Sequence, residues 1–484
     1  MRKLKSLILL FVAIVASSYI FGQDSLNLPN GAMLTLRQAV DIAINKNLLV
    51  RQAGLASQTS KVNYQQAIEY MLPNINAQAT QNVNFGRSLN QNTYSYTDEQ
   101  FNQFYYSAQA SLTLFQGLQL QNGIRQNSLL LEASRMDWQQ QKDLITLNVI
   151  LAYLQVLSNQ DILTVSREQA DVDLKQVERL EVLKKEGAIP LLSTYYDLKG
   201  IYAADLVRIA NNVNALETSK VNLFQLLNIP YRRDISYERI PMDLLRPEYG
   251  SSSDSIYQVA LNTLPVIKSV DLKAKAFQKA LSVARGAYYP TLSAYAYLSS
   301  NYSSVAQTQT PSNLFSDTSK SSYVTVSNAN YPVISTVQGF NFNNTPFWDQ
   351  LTNNRYQQIG LQLNIPILNY MRARNGVKKA KIDLQNAKNN AEAARNTLQQ
   401  NVEVAYQNMI SAYESYKGYR EQTTALAESF RGAEIRFNEG AITSIDYLVT
   451  KNAYDQANIN FTASKYNYIF RTKILDYYQG RLSW

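Results

Sequence analysis

REQADVDLKQVERLEVLKKEGAI, residues 167–189, recurs as REQTTALAESFRGAEIRFNEGAI, residues 420–442, at an offset of 253. Arg167-Glu168-Gln169 falls on Arg420-Glu421-Gln422, and Glu186-Gly187-Ala188-Ile189 on Glu439-Gly440-Ala441-Ile442. The register extends in both directions: residues 106–227 align with 359–480, placing Leu112 on Ile365, Asn122-Gly123 on Asn375-Gly376 and Ala152-Tyr153 on Ala405-Tyr406. Upstream, residues 39–85 align with 256–302 at an offset of 217, with Ala43 on Ala260, Pro73 on Pro290 and Ala77 on Ala294. The change of offset, 36 residues, is an insertion in the second copy within about 303–354. That stretch is rich in Ser, Thr, Asn and Tyr, carries Pro311, Pro332 and Pro346, and reads as a long loop. A chance alignment does not keep its register on both sides of one insertion, so the chain is a duplication.

Composition narrows the chemistry. The chain has 484 residues with no His and no Cys. Disulfides, thiolate or imidazole metal sites and His- or Cys-dependent catalysis are thereby excluded. No carboxylate or Ser/Lys constellation stands out, so no catalytic residue and no cofactor is expected, and the chain does not read as an enzyme. The 34 Tyr and the modest Gly and Pro content argue for an ordered protein. Of the net charge of +9, Arg2, Lys3 and Lys5 lie in a leader, which leaves about +6 on the rest. No dense Lys/Arg stripe of the kind nucleic acid requires is present. The apolar run Ser6–Val15 and the small residues Ala16, Ser17 and Ser18 make residues 1–22 a secretory signal peptide, with cleavage at Gly22-Gln23. No second apolar run is long enough for a membrane-spanning helix.

Each repeat carries the same order of elements: amphipathic helix, strand, loop, strand, very long helix, Gly-marked turn and returning helix. The first repeat occupies 23–228, with strands at about 73–86 and 104–115 and a tip turn at 186–190. The second occupies 255–484, with strands at about 289–302 and 356–368 and a tip turn at 439–443. Between them Ile229–Asp254, with Pro230, Pro241, Pro247 and Gly250, reads as an irregular connector.

The strands alternate apolar and polar residues over about ten positions. Ile75, Ala77, Ala79 and Val83 oppose Asn74, Asn76, Gln78, Thr80 and Asn82; Leu292, Ala294, Ala296 and Leu298 oppose Ser293, Tyr295, Tyr297 and Ser299. Such alternation suits a transmembrane barrel strand, and equally a half-buried soluble sheet. Four strands cannot close a barrel, and an open edge in hydrocarbon leaves backbone groups unpaired, so the membrane reading requires several protomers to share one barrel.

No Pro occurs between Pro73 and Pro190 or after Pro366. The spacing Val377, Ala380, Leu384, Ala387, Ala391, Ala394, Leu398, Val402, Ala405, Met409 and Ala412 alternates threes and fours, the seam of a coiled coil. A helix from Leu118 to Lys185 runs roughly 100 Å at 1.5 Å per residue. Length of that order suits a fibrous coiled coil or a tunnel wall. Gly187 and Gly440 read as left-handed glycines closing these helices, and Pro190 as the start of the returning helix.

In these features the chain resembles the TolC-type outer-membrane efflux family. Leu36-Arg-Gln-Ala39 with Ala43 and Asn47 resembles that family's opening helix. Leu114-Phe115-Gln-Gly117 and Ile365-Pro366-Ile367-Leu368 resemble its strand-to-helix junctions, and Phe437-Asn-Glu-Gly440 with Ser444-Ile-Asp446-Tyr-Leu448 its tip. The junctions depart from the family's Gly-Gly pair: Gly117 precedes Leu118 in one copy, and the other has Tyr370-Met371. The resemblance implies a mixed, mainly α fold, a duplicated antiparallel helical coiled coil with four transmembrane strands per chain. It further implies a homotrimer with a shared 12-stranded barrel and a 12-helix periplasmic tunnel, embedded in outer-membrane lipid. The implied partners are a periplasmic adaptor and an inner-membrane pump of the RND or ABC class, and the implied function is a passive exit duct for efflux or type I secretion. Glu186, Gly187, Ala188, Ile189, Glu439, Gly440, Ala441 and Ile442 are then the adaptor-contact tips. Asp446 and Asp197 are the gate candidates, although the first-copy counterpart of Asp446 is Ser193. Two other readings remain: an extended coiled-coil periplasmic adaptor or structural protein, and a surface adhesin or receptor using the 303–354 loop.

Overall fold

The computed structural model describes residues 31–90, 95–98, 100–187, 192–239 and 249–481. The leader, Ala188, Ile189, Pro190 and the connector residues Pro241 and Pro247 lie outside them. In chain order the elements are β1 (Met33–Leu34), α1 (Leu36–Lys46), α2 (Leu48–Glu69), β2 (Asn74–Asn84), β3 (Arg87–Asn90), β4 (Ser95–Asp98), β5 (Phe101–Gln116), α3 (Gln119–Lys185) and α4 (Leu192–Leu227). They continue with β6 (Ser236–Tyr237), α5 (Ser253–Thr263), α6 (Pro265–Gly286), β7 (Thr291–Ser303), β8 (Gln307–Val326), β9 (Ala329–Asn344), α7 (Phe347–Asn353), β10 (Tyr356–Asn364), α8 (Arg372–Asn438) and α9 (Ser444–Tyr478). The expected class, mainly helical with four paired strands, is what the chain adopts. It divides into two compact units, one of residues up to 57, 133–270 and 391 onward, the other of 58–132 and 271–390.

The first unit is helical. Thr35 starts α1 with a capping box: its Oγ1 accepts from the Gln38 amide and the Gln38 side chain accepts from the Thr35 amide, each at 3.1 Å. The stripe Ala39, Val40, Ile42 and Ala43 is buried, as are Ile256 and Ala260 at the matching positions of α5, where Ser252 is the cap. Around α1 gather Ile150, Tyr153 and Leu154 of α3, Leu223, Phe224 and Leu227 of α4, and Tyr466 and Ile469 of α9. Around α5 gather Leu398, Val402 and Met409 of α8 with Tyr468 and Leu475 of α9. Tyr466 and Ile469 thus serve one cluster while Tyr468 and Leu475 serve the other, so α9 of the second repeat packs into both. Buried Tyr153 places its hydroxyl 2.7 Å from the Leu34 carbonyl, fastening the short parallel β1–β6 pair to α3. On α8 the seam residues Leu398, Val402, Ala405, Met409 and Ala412 are all buried. α3 and α8 have 67 residues each, about 100 Å of helix.

The second unit holds an antiparallel sheet in the order β10-β7-β5-β2. β2 pairs with β5 from Asn74↔Ser111 to Asn84↔Phe101, and β5 pairs with β7 from Gln103↔Ser303 to Gln116↔Thr291. β10 pairs with β7 from Tyr356↔Ser299 to Asn364↔Thr291. β10 stops at Asn364, short of the 368 read from the sequence, because Pro366 has no N–H to give a ladder. Each strand-to-helix junction uses two successive left-handed residues: Gly117 and Leu118 at φ 57° and 60°, Tyr370 and Met371 at φ 52° and 56°. The second junction therefore keeps the geometry of the first without a glycine at either position.

The inserted stretch differs from its reading as a loop. It folds into a long antiparallel hairpin, β8–β9, followed by the short helix α7. Its Val, Tyr, Phe and Thr content favours strands, while Ser and Asn dominated the composition on which the loop reading rested. Pro311 and Pro332 sit next to irregularities in the ladder, where a missing N–H is tolerated.

Candidate functional site

Two regions carry candidate function. In the sheet, the registers place Ile75, Ala77 and Ala79 beside Ala110, Ala108 and Tyr106, then Ala296, Leu298 and Ala294, then Ile359 and Leu361 on one face. The opposite face carries Asn74, Asn76, Gln78, Gln109, Ser111, Ser293, Gln358 and Gln362. The apolar face is bare: Ile359 is 89% exposed and Ile75 and Leu361 are each 69% exposed. β2 and β10 are edge strands with one unpaired side each. A sheet with an uncovered apolar face and two open edges is incomplete in water, since burial of that face is what stabilises sheets.

The second region is the pair of helical turns. α8 ends in a left-handed glycine motif: Gly440 has φ 72°, its amide donates to the Phe437 carbonyl at 3.0 Å, and the Ala441 amide donates to the Arg436 carbonyl at 2.7 Å. Gly187 has φ 70° and donates to the Lys184 carbonyl at 3.2 Å. Glu186, Gly187, Glu439, Gly440 and Ala441 are exposed, while Ile442 turns inward. Beneath the turns lies a cluster of Val177, Leu180, Tyr195, Leu198, Tyr447 and Leu448. Tyr447 stacks on Phe437 with ring centroids 4.6 Å apart, and burial pushes its phenol above the ordinary tyrosine range. Arg179 of α3 hydrogen-bonds the Asn438 side chain, joining the two turns.

The gate candidates occupy different settings. Asp446 is exposed but turned back on its own helix. Its Oδ2 accepts from the Thr443 amide at 3.4 Å while Thr443 Oγ1 accepts from the Asp446 amide at 3.2 Å, a capping box at the start of α9, and Oδ2 also accepts from Thr443 Oγ1 at 2.7 Å. A carboxylate there also suits the positive end of the helix dipole. Asp197 reaches across to the other repeat, accepting from Ser444 Oγ at 3.5 Å.

A third feature escaped the sequence reading. Lys451 of α9 is 1% exposed and donates to Asp173 of α3 at 2.8 Å and to Asp455 one turn along its own helix. Buried Asp205 pairs with Arg208 on α4. Burial pushes the carboxyls of Asp173 and Asp455 above the usual carboxylate range, outweighing the pull of Lys451. The duplication held a signal for this cluster: Leu198, Tyr202 and Leu426 stand in the other copy where Lys451, Asp455 and Asp173 stand here. At each of the three matched positions one repeat carries a charge where the other carries Leu or Tyr, Asp173 in the first repeat and Lys451 and Asp455 in the second.

Among the described residues no group of carboxylates is placed to hold a metal ion, and no helix is long and apolar enough to cross a membrane. Residues 256–472 match the family model described as outer membrane efflux protein. No curated protein sequence matches the chain. Among solved structures, the Campylobacter jejuni CmeC outer membrane channel is similar at a TM-score of 0.69 and 15% identity, over 92% of this chain and 86% of that one. A membrane protein from Pseudomonas aeruginosa is similar at 0.68 and 15%, over 92% of each chain. The open state of the Neisseria gonorrhoeae MtrE outer membrane channel is similar at 0.64 and 14%, over 92% and 88%. Identity this low establishes the fold alone, and the sequence match covers the second repeat. Residues 256–472 are thus similar to the outer membrane efflux protein family, and the chain shares the fold of these outer-membrane channels.

Proposed function

We propose that this chain is one protomer of an outer-membrane efflux channel, a passive duct whose energy comes from an inner-membrane transporter. The observation that carries the reading is the sheet with a bare apolar face, a polar opposite face and two open edges. Lipid covers the first face, water fills a lumen lined by the second, and identical chains close the edges. Three copies give twelve strands, the number that the family resemblance implies. The two 67-residue helices of each copy are long enough to wall a periplasmic tunnel. The exposed turns at Glu186-Gly187 and Glu439–Ala441 are the surfaces offered to a periplasmic adaptor, with an RND or ABC pump beyond it. An extended adaptor and a surface adhesin are the weaker readings, because the family match and the fold likeness are to channels.

The test is assembly and conductance. Outer-membrane fractions should contain a trimer that collapses to monomer on heating, and the purified trimer should form water-filled pores in planar bilayers. A monomer without conductance overturns the proposal. Gly440→Trp should leave the trimer in the membrane and abolish export; normal export in that variant removes the tips from the mechanism.

A further inference from the structure

Helix α7, sequence FWDQLTN, belongs to the insertion that only the second repeat carries. It is held against the end of β7 by a hub. Gln350, 3% exposed, accepts from the Ser303 amide at 2.9 Å and donates to the carbonyls of Ser303 at 3.0 Å and Thr345 at 2.8 Å. Ser300 Oγ donates to the Leu351 carbonyl at 2.8 Å, and Asn354 Nδ2 donates to the Asn301 carbonyl at 2.9 Å. These bonds fix the helix on one side of the sheet. Phe347 packs 5.0 Å from the Tyr302 ring, 6.2 Å from Phe104 and 6.5 Å from Tyr106, centroid to centroid, all three on the apolar face. Trp348 lies 5.2 Å from Phe347 and is 75% exposed.

The level of this aromatic group on the sheet is informative. Gly117 and Gly286 meet where β5 gives way to α3 and α6 leads towards β7, so the helical junctions lie at one end of the sheet. α7 lies at the other. From Leu292 near the junctions to Tyr302 beneath α7 is roughly ten residues, about 33 Å of strand at 3.3 Å per residue. At a tilt of about 40° that is about 25 Å along the membrane normal, the height of a barrel's apolar band. Phe347 and Trp348 therefore stand at the far rim of the band, where Trp is favoured because its ring is apolar and its N–H finds water or headgroups.

We infer that α7 is a membrane-interface foot: it rests in the outer leaflet, with Trp348 lodged at the headgroup boundary and Phe347 bracing it against the barrel wall. The occupant of this surface is lipid, because the patch continues the bare apolar face without a break and the Gln350 hub holds it on that side. The inference rests on the outer-membrane reading above.

Depth-dependent fluorescence quenching tests it. The full-length protein is reconstituted into phosphatidylcholine vesicles brominated either near the carbonyl end or near the methyl end of the acyl chain. The Trp348 signal is the difference between the wild type and Trp348→Phe. A reporter for the centre of the sheet comes from Ile359→Trp in the Trp348→Phe background, since Ile359 pairs with Ala296 midway along the band. The Trp348 emission should fall by half or more with the shallow bromines and less with the deep ones, and the Ile359→Trp emission should show the reverse order. If the Ile359→Trp reporter is quenched and Trp348 is not, the foot is refuted while the barrel reading stands. If neither is quenched, the barrel does not face lipid and both fall.

Discussion

Lys451→Met removes the charge that joins α9 to α3 while nearly preserving the side-chain volume. Asp173 and Asp455 are then left in the interior with only the Arg208 guanidinium, itself paired with Asp205, to offset them. Breaking a buried ion pair from one side costs about 3–5 kcal/mol. For a unit of roughly 290 residues the unfolding entropy is about 0.6 kcal/mol per degree, so the loss amounts to about 5–8 °C in melting temperature. The pH dependence has a definite sign. Burial already holds both carboxyls above the ordinary carboxylate range, so between that range and their raised values the folded chain binds more protons than the unfolded one. Stability must fall as pH rises through that window. Without Lys451 the carboxyls are raised further, so the fall is larger, and the variant should approach the wild type towards pH ~4. The assay is thermal unfolding of the detergent-solubilised protein, followed by circular dichroism across a pH series. Adding Asp173→Asn and Asp455→Asn should restore most of the lost stability, since a neutral buried set carries no ionic desolvation penalty. A Lys451→Met protein that melts with the wild type at neutral pH, or a deficit that does not shrink on acidification, refutes the reasoning.

Five further outcomes are expected. Gly117→Ala should cost at least about 3 kcal/mol, because a Cβ there strikes the Gly286 carbonyl and comes within 2.8 Å of Tyr289 Cβ as well as forcing a left-handed φ. Gly440→Ala, with the same sign of φ and open space around it, should cost only about 1 kcal/mol; the two melting temperatures compared side by side check the difference. Changing Tyr370 and Met371 together to Gly should relieve roughly 1–2 kcal/mol of left-handed strain at each position and return about 0.5–1 of it as chain entropy, a net gain of about 1 kcal/mol by thermal unfolding. Asp446→Ala removes the capping box and should cost about 1 kcal/mol. If three Asp446 carboxylates also line a closed aperture, Asp446→Asn should lower the cation preference of the pore in bilayer recordings, and an unchanged preference confines the residue to capping.

Much of the architecture was readable along the chain because it is written in periods. The repeat, the two-residue alternation of Ile75–Ala79 and Leu292–Leu298, the three-and-four spacing from Val377 to Ala412 and the glycines at 187 and 440 are all local signals. Each reports the conformation of the segment that contains it. Which way a carboxylate turns is not such a signal: Asp446 read as a gate candidate, and only the folded turn shows its oxygen engaged by Thr443. Nor is the Lys451–Asp173 pair, whose members are 278 positions apart and meet only because three helices pack together. The inserted stretch misread for the same reason. Its Ser and Asn suggested a loop, yet hairpin pairing and the Gln350 hub gave β8, β9 and α7 their form. Periodicity is inherited by every residue of an element and survives in one dimension. A hydrogen bond between distant elements exists only once the chain has closed around it.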